Sequence, residues 1–434
     1  MSSRINKSGL VARVNFPLYT IQMLTSRHIL VGGGGGESKT GVANGFEIFE
    51  VSHNGWNFIA EEVTRHETGP NVVMNCATYN DNKKTWLAAG QESHCQLYSV
   101  TSRIVTLENG EVPKATNATT TPKENLRQRK KNDKNDETNN LSANKNDKHK
   151  RLQLILEPST SIKTDFSDDE SRQRIVRISP NGKYMATGGV DGIVRLWKFP
   201  ELTLIHCFKL HDKEIDDIDF NVSSKFISTI AKDGKAFICD IAKCNKYKEL
   251  TWTTPSSSKY MYKRLRFRIS NDKKLNEQIF ILSNATLSKN PSYLQLWDIE
   301  QGIIIKSTSF KETLSALAVS DDGKFVAVGT MFSGSVDIFI AFSLQRVLHV
   351  SNAHSMFITG LEFLHTKNHE LNDNSHSISA VTSNCEAAVV SISVDNRICI
   401  HSIPHRHSLP FWLVIVFIVL SICGAFIFCS YVGI

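Results

Sequence analysis

Residues 32–45, GGGGGESKTGVANG, hold the spacing most suggestive of chemistry. Gly32, Gly33, Gly34, Gly35 and Gly36 are consecutive; Glu37, Ser38, Lys39, Thr40 and Gly41 follow, then Asn44 and Gly45. Glycine reaches positive φ freely and lets a backbone approach another molecule closely, so this run predicts a loop on an unusual path. Phosphate binding is the first chemistry to weigh. Residues 33–40, GGGGESKT, approach the pattern Gly-x-x-x-x-Gly-Lys-[Ser/Thr], with Ser38 where the second glycine belongs. The residues that follow alternate as a strand does: Phe46, Ile48 and Val51 are apolar, with Glu47 and Glu50 among them. Without a helix behind it, the loop lacks the dipole and first-turn N–H groups that hold a phosphate. The expectation is a glycine loop protruding between two strands, not a nucleotide pocket.

Other candidate chemistry is thin. Nine cysteines are scattered without a CxxC pair, as expected for reduced, mostly buried thiols. His365 and His369 have i, i+4 spacing, but no glutamate completes a zinc-binding HExxH motif. There is no Gly-x-Ser-x-Gly elbow and no kinase set. Asp168-Asp169-Glu170 and Asp216-Asp217 read as acidic loop clusters. Arg127 to Lys131, RQRKK, resembles a nucleic-acid patch, yet acidic residues interrupt the wider run and no aromatic residue interleaves it for base stacking. Covalent catalysis and an organic cofactor are therefore not expected.

The elements that must position the glycine loop are strands. From Phe16 to Ser402 short apolar-alternating runs recur in fours, at about 40 residues per group, the signature of a β-propeller. The first group is Leu18–Met23, His28–Gly32, Phe46–Val51 and Trp56–Val63. Asn181-Gly182, Asp191-Gly192, Asp233-Gly234 and Asp322-Gly323 supply turns, and Leu296-Trp297-Asp298 is an intact Trp-Asp signature. His211 and His354 precede innermost strands, where a bond to a turn aspartate is their expected role. Seven blades fit. The seventh lacks a fourth strand, and Leu10–Val14 is expected to close the ring there and remove the open edge.

The domain reading is an all-β, seven-bladed WD-type propeller over 1–404 with a single C-terminal transmembrane helix. An insertion at about 101–151 in blade two, rich in Asn and Lys, is expected to be disordered. Residues 405–410 read as a juxtamembrane linker, 411–430 as the span and 431–434 as a short luminal tail. Phe411 to Cys429 carries no charge, and about 20 residues cross a ~30 Å hydrocarbon core. Phe411, Trp412 and Phe428 would anchor it. His405, Arg406 and His407 flank the run, so the positive-inside rule puts the propeller in the cytosol.

Several stretches resemble one family: Phe16-Pro17-Leu18-Tyr19, the glycines with Lys39-Thr40-Gly41 and Asn44-Gly45, Ala88-Ala89-Gly90-Gln91, Thr164-Asp165-Phe166-Ser167, and Ile340 to Gln345. The chain resembles the prolactin regulatory element-binding protein family, WD-repeat, membrane-anchored exchange factors for the small GTPase that starts COPII coat assembly. The resemblance implies guanine nucleotide exchange on a Sar-family GTPase at the endoplasmic reticulum membrane, within reach of COPII coat or scaffold proteins. It also implies a potassium ion in the first-blade loop, carried here by Gly32 to Gly45, with the loop projecting at the GTPase. Bare glycine carbonyl oxygens suit a hard cation. Five glycines rather than four, and Glu37-Ser38 before the lysine, depart from the family pattern. Two other classes remain open: a DNA-binding regulator resting on Arg127 to Lys131, and a passive membrane-tethered scaffold. A luminal domain glycosylated at Asn6, Asn117, Asn140, Asn221 or Asn284 is a further orientation to test.

Overall fold

Strand after strand alternates an apolar side chain with a polar one or with a second buried face, and turns with glycine at positive φ reverse the chain between them. A computed structural model describes residues 9–36, 41–81, 84–106, 150–168, 170–255, 258–269, 277–287, 289–366, 381–405 and 411–433. It contains seven four-stranded antiparallel sheets arranged as the blades of a propeller. Blade one is Leu18–Met23, His28–Gly33, Gly45–His53 and Phe58–Glu67, from the innermost strand outward. The other innermost strands are Val73–Asn80, Gln173–Ile178, Ile215–Phe220, Tyr260–Phe267, Leu314–Val319 and Ile358–Phe363.

The expected closure is present. Leu10–Arg13 pairs antiparallel with Arg397–Pro404 and forms the outer strand of blade seven. The last blade is thereby built from both ends of the propeller sequence, which fastens the ring and leaves no unpaired seam. Apolar clusters sit between neighbouring blades. Ile29, Val31, Phe49 and Val51 of blade one pack against Ala388, Val390 and Ile392 of blade seven. Leu30, Phe46 and Ile48 face Cys76, Leu87 and Ala89 of blade two.

Each innermost strand has an irregularity near its start, after the first residue in six of them and after the third, Tyr262, in Tyr260–Phe267. The extra residues are Tyr19, Met74, Arg174, Asp216, Lys263, Ser315 and Thr359, and all seven line one mouth of the central channel. A bulge re-aims its side chain out of the ladder, so the repeated defect writes a ring of side chains around the channel.

Two expectations change. Trp56 is not the first residue of a strand; it stands in the turn before Phe58–Glu67. Asn54 wins that register, because its Oδ1 accepts the N–H groups of Trp56 and Asn57 at 3.0 and 2.8 Å. Asp216-Asp217 is not a loop cluster: it lies in the innermost strand Ile215–Phe220, which the strand rhythm also marks, and Asp217 is buried. The blade-two insertion lies mostly outside the described residues, between the long strands His94–Thr106 and Lys150–Lys163. The basic patch from Arg127 to Lys131 and His369 also lie outside them.

After Pro404 the chain forms a helix over Phe411–Val432 with no acidic or basic residue in its first or last turn. Within it the side chains of residues 415–429 and 431 are described, and among the described residues no helix is long and apolar enough to cross a membrane.

Candidate functional site

Antiparallel strands send alternate connections to opposite faces of a propeller. The glycine loop joins the second and third strands of blade one, so it shares a face with the connections that lead from each blade to the next. Its legs leave the sheet at Gly33 and Gly45, which pair in the ladder. Both need to be glycine. A Cβ on Gly33 would lie 1.9 Å from the Pro17 carbonyl oxygen, and one on Gly45 would lie 2.2 Å from that of His66. Gly32 is buried against Thr20, Phe46 and Val73. Gly34 N–H donates to the Pro17 carbonyl at 3.1 Å and adopts φ +148°.

Asn44 ties the loop together. It is 5% exposed. Its Oδ1 accepts the Gly36 N–H at 3.0 Å, and its Nδ2 donates to the carbonyls of Gly69 and Pro70, each at 3.0 Å. The Asn44 carbonyl accepts the Thr68 N–H at 3.0 Å. One amide thus joins the outgoing leg, the return leg and the connection to blade two. Val42 packs on the core between blades one and seven. Gly36 and Gly41, at φ +80° and +78°, have nothing within 4 Å of an added Cβ. The loop is clamped at its base, and Gly36 and Gly41 stand in open space beyond the clamp. Glu37, Ser38, Lys39 and Thr40 lie outside the described residues, so the structure brings together Gly32 to Gly36, Gly41, Asn44 and Gly45 of the expected set.

Gly35 and Gly36 lean over the channel mouth, a cavity of about 630 Å³. Its wall is charged. Arg174 lies 3.2 Å from Glu214, and Lys263 lies 3.2 Å from Asp216. Burial, with Arg264 and Arg174 nearby, pulls the Lys263 ammonium down from its ordinary range. Deeper in, Asp217 accepts Arg266 at 2.7 Å and faces Arg177 at 3.8 Å. Burial pushes the Asp217 carboxyl up, but those arginines outweigh it and hold the group below its usual range. The rim adds exposed apolar side chains. Phe332 is 75% exposed, and Phe166 has the Arg195 guanidinium 4.8 Å over its ring. Phe357 and Met331 also line the mouth. Met331, Phe332 and Phe357 escaped the sequence reading, although Met331-Phe332 does interrupt a turn where other blades carry Asp-Gly.

Below the loop, Glu47 is buried, 3.8 Å from Arg65. Burial pushes its carboxyl up to about 7, Glu62 adds to the shift and Arg65 offsets part of it. The expected histidine roles hold. His211 Nδ1 lies 3.0 Å from Asp233 and its Nε2 2.9 Å from Thr229. His354 Nδ1 lies 3.0 Å from Asp395 and its Nε2 2.8 Å from Ser391, whose hydroxyl also meets His401 Nε2 at 2.9 Å. The second chain has the order of a hydrolytic triad, but Ser391 is 0% exposed and serves as a brace.

A "WD domain, G-beta repeat" family model matches residues 164–198, the stretch that leads into blade three and through its third strand. Over 412 residues the chain is 31% identical to the guanine nucleotide-exchange factor SEC12 of Mus musculus, covering 93% of this chain and 92% of that protein. The chain belongs to the SEC12 guanine nucleotide-exchange factor family. The SEC12 protein of Rattus norvegicus is 30% identical over the same length. The SEC12-like protein 2 of Arabidopsis thaliana is 26% identical over 200 residues, 45% of this chain and 47% of that protein.

Proposed function

We propose that this member of the SEC12 family is a guanine nucleotide-exchange factor for a Sar-family small GTPase, acting at the endoplasmic reticulum membrane to start COPII coat assembly. The observation that carries the reading is the Asn44-clamped glycine loop standing over the channel mouth. A partner that docks on the apolar rim and charged mouth meets the loop's Asn44-held base. Exchange needs no covalent step. The factor binds the nucleotide-free GTPase better than the loaded one, and that difference in affinity drives release. The tip, Glu37 to Gly41, disturbs the GTPase's nucleotide contacts, with Lys39 facing acidic or phosphate groups.

A potassium ion at the base of the loop is part of this proposal. The glycine carbonyls and the Asn44 amide are neutral oxygens, the donor type that replaces potassium's hydration shell. Gly34 lies against Asn44 so closely that a Cβ there would be 2.0 Å from Oδ1. The ion would supply order to a backbone that glycine leaves free.

The whole helix, Phe411–Val432, has 22 residues and no charge. At 1.5 Å per residue it covers about 33 Å, enough for a ~30 Å hydrocarbon core. We read it as a single-pass anchor with the propeller in the cytosol. Buried Asn221, hydrogen-bonded to Ser223 and Glu277, offers no surface to a glycosylating enzyme.

The test is release of a fluorescent nucleotide from a Sar-family GTPase, with and without the full chain, in potassium and then in sodium. Acceleration is expected, weaker in sodium. Acceleration indifferent to the cation removes the ion and keeps the function. No acceleration by a folded chain, with GTPase binding indifferent to nucleotide state, leaves a passive scaffold.

A further inference from the structure

The face opposite the glycine loop carries two aromatic side chains that exchange does not use. The third strand of blade seven, Arg397–Pro404, ends on that face, where Pro404 pairs with Cys385. His405 Nε2 lies 3.1 Å from the Ser383 carbonyl oxygen. Beside it, Asn384 Nδ2 lies 3.0 Å from His53 Nδ1, which brings the end of the propeller against blade one. His53 opens the turn 54–57. Its ring stacks edge-on with Phe58 at 4.7 Å, and its Nδ1 accepts the Gly55 N–H at 3.0 Å. Asn54 accepts two further N–H groups of the turn. This fixed turn holds Trp56 out into solvent at 87% exposure.

Blade six, on the other flank of blade seven, repeats the arrangement. Its turn after Val336–Ile340 buries Leu344 and exposes Phe342 at 61%. The Leu344 N–H donates to the Ile340 carbonyl at 2.9 Å, so this turn is also fixed. Single exposed apolar residues are ordinary. Here two aromatics flank the strand that leads, through residues 405–410, to the apolar helix. At ~3.5 Å per residue that connection keeps the strand's end within about 25 Å of the helix start. The Trp56 indole, with an apolar body and a polar N–H, favours the membrane–water interface, and an exposed phenyl ring such as Phe342 gains by burial at the headgroup–acyl boundary.

We propose that this face is seated on the bilayer, with Trp56 and Phe342 in the interfacial layer on either side of the anchor. The seat rests on the reading of 411–432 as a membrane span. It turns the glycine loop away from the bilayer, open to a partner from the cytosol, and it converts a one-point tether into a three-point one.

The test uses the full chain in phosphatidylcholine nanodiscs carrying a headgroup nitroxide lipid, with tryptophan fluorescence as readout. Trp412→Phe removes the anchor's own indole. In that background the nitroxide lipid quenches Trp56, and adding Trp56→Phe lowers the quenched fraction about threefold, because Trp56 is the most exposed indole among the described residues. Adding Phe342→Trp to the doubly substituted chain restores quenching. An incorporated chain whose quenching ignores either substitution overturns the seat alone. A chain that fails to enter nanodiscs overturns the membrane reading and the seat with it. Self-association that Trp56→Phe abolishes, without quenching, assigns the face to a second copy and overturns the seat.

Discussion

The same hairpin position is built in two ways in this propeller. In blades four and seven the turn between the second and third strands is locked by a histidine from the preceding connection: His211 on Asp233 and Thr229, His354 on Asp395 and Ser391. In blade one the turn is replaced by a glycine loop, and Asn44 clamps only its base. The locked turns are short, and the histidine and aspartate side chains that hold them are buried. In the glycine loop, Gly36 and Gly41 stand where a side chain would meet nothing. Low local stability is what a segment needs if it is to rearrange on a partner. Blades four and seven thus use their polar groups to hold the ring, while blade one uses them to present a loop.

Deleting Glu37 to Gly41 is the sharpest way to break that contrast. Nucleotide release should fall about 100-fold or more, to the uncatalysed rate, if the loop supplies the difference in affinity. The melting temperature should not move, since the deletion leaves Asn44 and the ladder at Gly33 and Gly45 in place. A folded deletion variant with full activity would falsify the loop's role. Next come Gly34→Ala and Asn44→Ala. The first drives a Cβ into Asn44 Oδ1 at positive φ; the second removes three hydrogen bonds from the loop base. Each should slow exchange about tenfold and cost about 1–3 kcal/mol of stability by denaturant titration.

His354→Ala should do the reverse. It leaves Asp395 and Ser391 without their buried partner, at a cost of about 2–3 kcal/mol, while exchange per folded molecule stays at the wild-type rate. Reduced exchange at full folding would mean that the braces also tune the loop.

The smallest effects are in pH, and the two blades should respond with opposite sign. Burial, then the neighbouring His354, pulls His401 down to about 4. The unfolded chain therefore takes up that proton first, and stability is lost as pH falls from about 6.5 towards 4. Asp395 contributes at still lower pH: burial pushes it up, but His354 and the Ser355 N–H hold it down to about 2, so its share disappears as pH falls from about 4 to 2. Glu47, raised to about 7, favours the folded state below about 4.5 and loses that contribution as pH rises through 7. Melting curves against pH should flatten on the acid side for His401→Gln and on the neutral side for Glu47→Gln.

Much of the fold could be read before any coordinates. The strand rhythm placed all seven blades and foresaw the closure by the N-terminal strand, because each blade repeats one supersecondary unit with its own turn residues. The loop's legs were legible for the same reason: no other residue tolerates the approach to Pro17 and His66 made at Gly33 and Gly45. Trp56 was misplaced because an apolar residue before an alternating run looks like its first member, and only the Asn54 turn reveals otherwise. The Asp217–Arg266 pair was missed because its partner lies 49 residues away.

What the sequence determined by itself is therefore local and periodic: a propeller, an open glycine loop in its first blade, and an uncharged C-terminal run. The tertiary structure decided which distant groups meet. Asn44 reaches the carbonyls of Gly69 and Pro70, seven bulged residues converge on one channel mouth, and Trp56 comes to stand beside the strand that ends at Pro404. Closing the ring brings these residues together, and ring closure depends on contacts between both ends of the chain rather than on any local pattern.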